Sequence, residues 1–139
     1  MSKLFISNSE SETAKIAREV AGDLTTQSVL AIKGDLGSGK SFLCRNIIQH
    51  LLNKSVTVVS PTFNLLQTYD ITDSLSIYHY DLYRLKSEYE AFELGVYEAF
   101  DRHITLIEWP EIISKMLPES TIFLNIEIID EHTRKITIR

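Results

Sequence analysis

Residues 29–41 read VLAIKGDLGSGKS, and this stretch decides the fold. Its second part, residues 34–41, matches in full the phosphate-binding pattern G-x-x-x-x-G-K-[ST]. In such a loop, backbone N–H groups turn toward phosphate oxygens, the lysine reaches the β- and γ-phosphates, and the last hydroxyl is a ligand for Mg²⁺. The helix that begins there adds its positive end to the site. We therefore predict a nucleotide site formed by the residues Asp35, Leu36, Gly37, Ser38, Gly39, Lys40, Ser41 and Phe42.

The residues on both sides of this loop supply the strand and the helix that the motif requires. Residues 29–32 are an unbroken apolar run, which is typical of a strand covered on both faces of a parallel sheet. Downstream, Leu43, Ile47 and Leu51 recur at helical spacing. A chain of 139 residues suits one domain with a real core. We predict that residues 1–139 form a single three-layer α/β/α domain of the phosphate-loop NTPase type with a mixed β-sheet.

Further elements are predicted from apolar runs and from helix and turn signals. A capping box at Ser9 and Glu12 begins a first helix that ends near residue 24. A later helix over residues 88–99 is interrupted by Gly95, and a short one ends near residue 117. The runs 65–69 and 75–80 indicate an antiparallel pair around a polar turn. Other strands are predicted at residues 3–7, 56–59, 104–107, 121–129 and 135–139.

Composition excludes several classes of protein. The formal net charge is −5, and no cluster of Lys and Arg is longer than a pair, which disfavours autonomous RNA or DNA binding. If nucleic acid is involved, we expect another subunit to hold it. The single cysteine, Cys44, excludes an internal disulfide and fits a reducing compartment, with the thiol as a small core residue. No apolar run has the length of a membrane span and no signal peptide is evident, so we expect a cytoplasmic protein without a membrane partner.

Two acidic residues follow predicted strands and complete a hydrolytic site. Glu108 directly follows the run 104–107, and Asp81 ends another strand. Ligands of open α/β sheets bind at the carboxyl ends of the strands, and hydrolysis needs an acid that organises Mg²⁺ and water. Glu108 either contacts the metal or orients the attacking water. Asp81 either helps in the same task or only caps a turn or helix.

Other residues near these strand ends have two interpretations each. Thr62, in the run SPTF at 60–63, fits equally a hydroxyl that senses Mg²⁺ and γ-phosphate and a part of a tight turn around Pro61. Arg84 fits equally a group that neutralises transition-state charge and an ordinary salt bridge. For His79 the interpretations are a packed residue on a strand face and a general base, and the first is favoured because phosphoryl transfer leaves little proton chemistry for histidine. The element that reads guanine in related nucleotide-binding proteins is missing, which favours ATP over GTP.

These segments together resemble the TsaE (YjeE) family of bacterial ATPases. The matching segments are GDLGSGK at 34–40, SPTF at 60–63, YHYDLYRL at 78–85, ELG at 93–95 and IEWPE at 107–111. By this resemblance, Lys40 binds phosphate, Ser41 and Glu108 serve Mg²⁺, and Asp81 supports hydrolysis. The resemblance places Thr13 near the adenine. It places Trp109 near the nucleotide or a partner, although core packing is slightly favoured for this residue.

The resemblance also implies a biological role. The chain would be the ATPase subunit required for threonylcarbamoyladenosine modification of tRNA, with ATP and Mg²⁺ as cofactors. It would dock on the TsaB–TsaD pair, with TsaD as the transferase, and would meet tRNA only through these partners. Two alternatives stay open: a small-molecule kinase with a phosphate loop, and a nucleotide-gated binding module without significant turnover.

Overall fold

The computed structural model describes residues 2–54 and 56–139, which form a seven-stranded mixed sheet with helices on both faces. The strand order is β1-β7-β6-β2-β5-β4-β3. The predicted three-layer α/β/α architecture with a mixed sheet is confirmed. The strands are β1 Lys3–Ser7, β2 Val29–Lys33, β3 Leu66–Asp70, β4 Ser76–Asp81, β5 Ile104–Glu108, β6 Ile122–Ile128 and β7 Arg134–Ile138. The helices are α1 Glu10–Gly22, α2 Lys40–Leu52, α3 Glu88–Glu93, α4 Val96–Arg102 and a 3-10 helix Pro110–Met116.

The strand before the phosphate-loop motif lies in the middle of the sheet. β2 pairs in parallel with β5 on one side and with β6 on the other, and β4 extends the parallel group beyond β5. The first four residues of β2 are all buried, as the apolar run predicted for a strand covered on both faces. The antiparallel strands β1, β7 and β3 complete the two sides of the sheet. The carboxyl ends of β2, β4, β5 and β6 therefore meet at one edge.

Each face of the sheet packs against its own group of helices. Helices α1 and α2 pack against each other and cover one face with apolar side chains such as Ile16, Ala17, Leu43 and Ile47. Helices α3 and α4 and the 3-10 helix cover the other face with Ala91, Val96, Phe100 and Ile113. Burial of apolar surface on both faces stabilises the three layers. Within residues 2–54 and 56–139, no helix combines the length and the apolar character needed to span a lipid bilayer.

Most predicted elements are present, with ends that differ by a few residues. The Ser9 side chain accepts a hydrogen bond from the Glu12 N–H at 3.1 Å and begins α1 as predicted. Gly95, with φ +76°, separates α3 from α4, which confirms the predicted interruption.

The prediction of a strand at residues 56–59 is wrong. These residues join no strand of the sheet, and the Val59 N–H donates instead to the Tyr69 hydroxyl at 3.3 Å. The place beside β4 is taken by β3, its partner in the antiparallel pair, so this apolar run finds no ladder there. Val59 is accordingly 52 % exposed.

Candidate active site

The loop between β2 and α2 is wrapped around the side chain of Lys40. Gly37 and Gly39 take left-handed backbone conformations, with φ of +79° and +108°. The Lys40 ammonium donates to the backbone carbonyls of Gly34 and Asp35. It also lies 4.2 Å from the centroid of the Trp109 ring. Lys40 is thus held by the loop at the start of α2, where its charge faces the edge formed by the strand ends.

A cavity of about 380 Å³ lies in front of the loop. It contains most of the predicted site residues. Its lining residues are Leu36, Gly37, Gly39, Lys40, Ser41, Phe42, Thr62, Asp81, Tyr83, Arg84, Glu108 and Trp109. The motif and the two acidic residues predicted from strand ends are therefore brought to one cavity.

Glu108 lies directly against the loop. Asp81 and Glu108 are opposite each other in the register of the parallel strands β4 and β5, and both are buried. The Ser41 hydroxyl donates to Glu108 Oε1 at 3.0 Å. A hydroxyl and a carboxylate oxygen are hard donors of the kind that Mg²⁺ prefers, so this pair fits the predicted metal.

Asp81 has both of its carboxylate oxygens engaged. Oδ1 accepts from the Tyr83 N–H at 3.1 Å, and Oδ2 accepts from the Thr62 hydroxyl at 3.2 Å. Asp81 therefore stabilises the turn after β4 and also lines the cavity, so both interpretations of this residue fit. The segment around Pro61 is likewise a turn, with a hydrogen bond from the Leu65 N–H to the Pro61 carbonyl. Its Thr62 lines the cavity, so its two interpretations also coexist.

A second cavity of about 280 Å³ lies on the other side of the loop. Gly37, Gly39 and Phe42 line both cavities, while Thr13 and Ser38 line only the second. Its remaining lining residues are Ser9, Glu10, Glu131, His132 and Arg134.

The polar groups that line the second cavity differ in whether they have hydrogen-bond partners. Thr13 is buried, and its hydroxyl is 2.6 Å from that of Ser7. The Arg134 side chain donates to the Ser38 carbonyl at 3.0 Å. The Ser38 hydroxyl is buried and has no hydrogen-bond partner among the described residues. Asp35, by contrast, is exposed and lines neither cavity; it contributes its carbonyl to Lys40.

Burial and charge act in opposite directions on Lys40. Burial lowers the pKa of the Lys40 ammonium, and the negative charges of Glu108 and Asp81 partly offset that effect. The same carboxylates act on Cys44 behind the site. Burial, assisted by the charge of Glu108 and a hydrogen bond to it, raises the pKa of the Cys44 thiol well above its ordinary range. Cys44 is a buried free thiol of the core, as predicted.

The structure also adds contacts that the sequence analysis did not predict. His79 Nε2 is 2.7 Å from Glu108 Oε2, and both side chains are buried. Trp109 is half-buried, lines the cavity and contacts the Tyr83 ring at 4.8 Å between centroids, so the favoured core-packing interpretation is not the one observed. Arg84 lies over the Phe63 ring at 5.1 Å and forms no ion pair within residues 2–54 and 56–139. The alternation of side chains along β4, which puts His79 and Asp81 on one face, is the sequence signal that could have identified His79.

Comparison with known proteins decides the family. Residues 7–136 match the family model described as threonylcarbamoyl adenosine biosynthesis protein TsaE. The chain belongs to the TsaE family. It is 47 % identical over 135 residues to the Rickettsia felis protein named tRNA threonylcarbamoyladenosine biosynthesis protein TsaE, covering 97 % of this chain and 78 % of that protein. It is 35 % identical to the Aquifex aeolicus TsaE over 137 residues, covering 98 % and 95 %.

A solved structure has the same fold. The crystal structure of YdiB from Bacillus superposes with a TM-score of 0.82 at 26 % identity, covering 99 % of this chain and 84 % of that one. The resemblance inferred from the SPTF, DLYRL and IEWPE segments is therefore confirmed at the level of the TsaE family.

Proposed function

We propose that this chain is the Mg²⁺-dependent ATPase subunit of tRNA threonylcarbamoyladenosine biosynthesis, acting on the TsaB–TsaD pair without transferring the group itself. The observation that carries the proposal is the contact between Ser41 and Glu108. It joins the last residue of the phosphate-loop motif to an acid from another strand, in a cavity that also contains Asp81. A loop that only binds phosphate does not need these acidic residues, whereas hydrolysis does.

The two cavities suggest how a nucleotide would lie across the loop. Because Gly37 and Gly39 border both, a ligand can reach from one side of the loop to the other. We assign the phosphates to the side of Lys40 and the nucleoside to the side of Thr13 and Ser38. Polar residues such as Ser9, Glu10 and Arg134 line that second side, which suits the polar groups of a nucleoside.

Each side chain then has a defined task in hydrolysis. Lys40 would exchange its loop carbonyls for phosphate oxygens, because a buried ammonium gains more from full negative charges than from dipoles. Ser41 and Glu108 would hold Mg²⁺, which supplies charge neutralisation at the phosphates. Asp81, fixed by Thr62 and Tyr83, would position the attacking water. Phosphoryl transfer needs positioning and electrostatics more than covalent chemistry, which suits this set of residues.

The assignment of partners rests on the family and on charge. With a net charge of −5, the chain is poorly suited to hold the tRNA backbone, so tRNA would be bound by TsaB and TsaD. ATP binding would favour the docked complex, and hydrolysis would reset it between rounds.

The site assignments are tested with two pairs of variants. Lys40→Ala should remove most ATP affinity, whereas the exposed Lys115→Ala, its matched control, should leave it unchanged. Glu108→Ala should retain part of the binding but lose turnover, whereas the exposed Glu119→Ala should hydrolyse ATP normally. ATP binding is measured by calorimetry and turnover by phosphate release. Normal hydrolysis by Glu108→Ala would overturn its assigned role.

The partner assignment is tested by reconstitution. Purified protein should hydrolyse ATP slowly alone and faster with TsaB and TsaD, and tRNA modification should require it. Equal turnover with and without the partners contradicts the dependence. Transfer of labelled phosphate to a metabolite instead of water would replace this proposal with the kinase alternative.

A further inference from the structure

The second oxygen of the Glu108 carboxylate is bound inside the protein. Glu108 Oε1 accepts from Ser41, while Oε2 faces His79 Nε2 at 2.7 Å. The exposed fractions of the His79 and Glu108 side chains are only 1 % and 3 %. The contact is therefore a short polar bond under the site, shielded from water, where hydrogen bonds act most strongly.

The strands explain why these two side chains meet. β4 and β5 are parallel neighbours, and His79 lies two residues before Asp81, which is opposite Glu108. Side chains two residues apart point to the same face of a sheet, so His79 and Glu108 both face α2. The imidazole thus lies behind the carboxylate, on the core side, where Cys44 of α2 is also within 4.8 Å of both groups.

The hydrogen-bond partners of the two ring nitrogens of His79 indicate which of them carries the hydrogen. An ionised carboxylate can only accept, so Nε2 must carry the proton that it donates to Glu108. His79 Nδ1 is buried and has no partner among the described residues. A hydrogen on Nδ1 would be a buried donor without a partner, so the geometry favours a hydrogen on Nε2.

We infer that His79 is a positioning residue: its Nε2–H holds Glu108 Oε2 so that Oε1 faces Ser41. The inference rests on the proposed function, because its benefit is a carboxylate already oriented for Mg²⁺. Without the donor, the carboxylate could rotate and leave Ser41. His79 itself does not line the cavity, so it acts through Glu108 and not on the ligand. Partners of this kind usually change metal affinity or activity by about 10–100-fold when they are removed.

The test compares two substitutions that separate the donor from the volume of the ring. His79→Leu removes the donor and keeps an apolar side chain, whereas His79→Gln keeps an N–H near the position of Nε2. His103→Leu is the matched control, since His103 accepts from the Ser76 N–H and stacks on Tyr78 away from the cavity. The measurement is the Mg²⁺ concentration that gives half-maximal binding of a fluorescent ATP analogue, together with binding in EDTA and thermal melting.

We expect His79→Leu to raise that Mg²⁺ concentration about 10–100-fold with unchanged binding in EDTA. His79→Gln and His103→Leu should stay close to the wild type. A folded His79→Leu with an unchanged Mg²⁺ response overturns the inference, as does an equal loss in His79→Gln. A wild-type protein whose nucleotide binding ignores Mg²⁺ contradicts the proposed function instead.

A second readout is independent of the ligand and of the leucine variant. In the ¹⁵N spectrum of histidine-labelled wild type, His79 should show a hydrogen on Nε2. A His79 ring without a hydrogen on Nε2 overturns the inference. If His79→Leu does not fold, the glutamine variant and this spectrum decide.

Discussion

Replacement of Gly34 by alanine tests how closely the phosphate loop is pressed against the sheet. A Cβ atom at Gly34 would lie 2.7 Å from the Ile126 backbone oxygen and 2.6 Å from Ser38 Oγ. Both distances are below the 3.0 Å that real Cβ contacts respect. The Ser38 hydroxyl can rotate away, but the carbonyl belongs to β6, in the middle of the sheet. The added methyl group must therefore displace either the loop or the strand.

The expected cost follows from this overpacking. One extra methyl group in a packed region costs about 1–3 kcal/mol when the backbone must shift. Unfolding entropy of about 2.1 cal/mol/K per residue gives roughly 0.29 kcal/mol/K for a chain of 139 residues. Gly34→Ala should therefore lower Tm by about 3–10 °C.

The assay is thermal unfolding followed by circular dichroism, without nucleotide. The matched control is Gly22→Ala at the end of α1, where an added Cβ meets no atom within 4 Å. This control should keep or raise Tm, because alanine reduces the conformational freedom of the unfolded chain. Equal Tm values for Gly34→Ala and wild type would refute the close approach of the loop to β6.

Three further predictions concern single side chains. Burial raises the pKa of Tyr80, so its contribution to stability is present below about pH 10 and is lost as the pH rises above it. Tyr80→Phe should cost about 1 kcal/mol at pH 7, because it removes the hydrogen bond to the Leu94 carbonyl, and should flatten the fall in Tm at alkaline pH. Parallel curves of Tm against pH for the variant and the wild type would contradict this prediction. Trp109 is the only tryptophan, and the Lys40 ammonium lies over its ring. Saturating ATP–Mg²⁺ should therefore change the tryptophan fluorescence of the wild type and leave that of Lys40→Ala unchanged. Constant fluorescence in the wild type would contradict a movement of Lys40. Cys44 should react with a thiol reagent only as the protein unfolds, because the thiol is buried and burial raises its pKa. The reaction is measured by absorbance, and prompt reaction of the native protein would contradict the burial of Cys44 in the core.

Local patterns in the sequence predicted the elements whose determinants are local. The loop, its strand and its helix follow from one motif and its flanks, and Gly95 marks a helix end by its conformation. The apolar run at residues 56–59 was predicted to be a strand and is not one. A strand needs a free ladder as well as suitable residues, and pairing of distant segments cannot be deduced from composition.

The candidate site was predicted in outline for a related reason. Asp81 and Glu108 were expected together because parallel strands end at one edge, and their register confirms this arrangement. The contact of His79 with Glu108 requires β4 and β5 to be neighbours in the sheet, and the sequence alone does not show which strands pair. The position of Trp109 over Lys40 depends on a left-handed backbone, φ +58°, which a tryptophan rarely adopts. Such contacts appear only in three dimensions.

The central place of β2 has a consequence for the order in which the molecule can form. Its two hydrogen-bonded neighbours, β5 and β6, begin at residues 104 and 122, more than seventy residues further along the chain. A ribosome therefore releases the most apolar strand long before any partner strand is available. Pairing over such separations is slow and leaves apolar surface exposed in the meantime. A nascent chain that ends before β5 carries residues 34–41 in full yet lacks the strand that pairs with β2 and supplies Glu108, so the candidate site can form only late in synthesis.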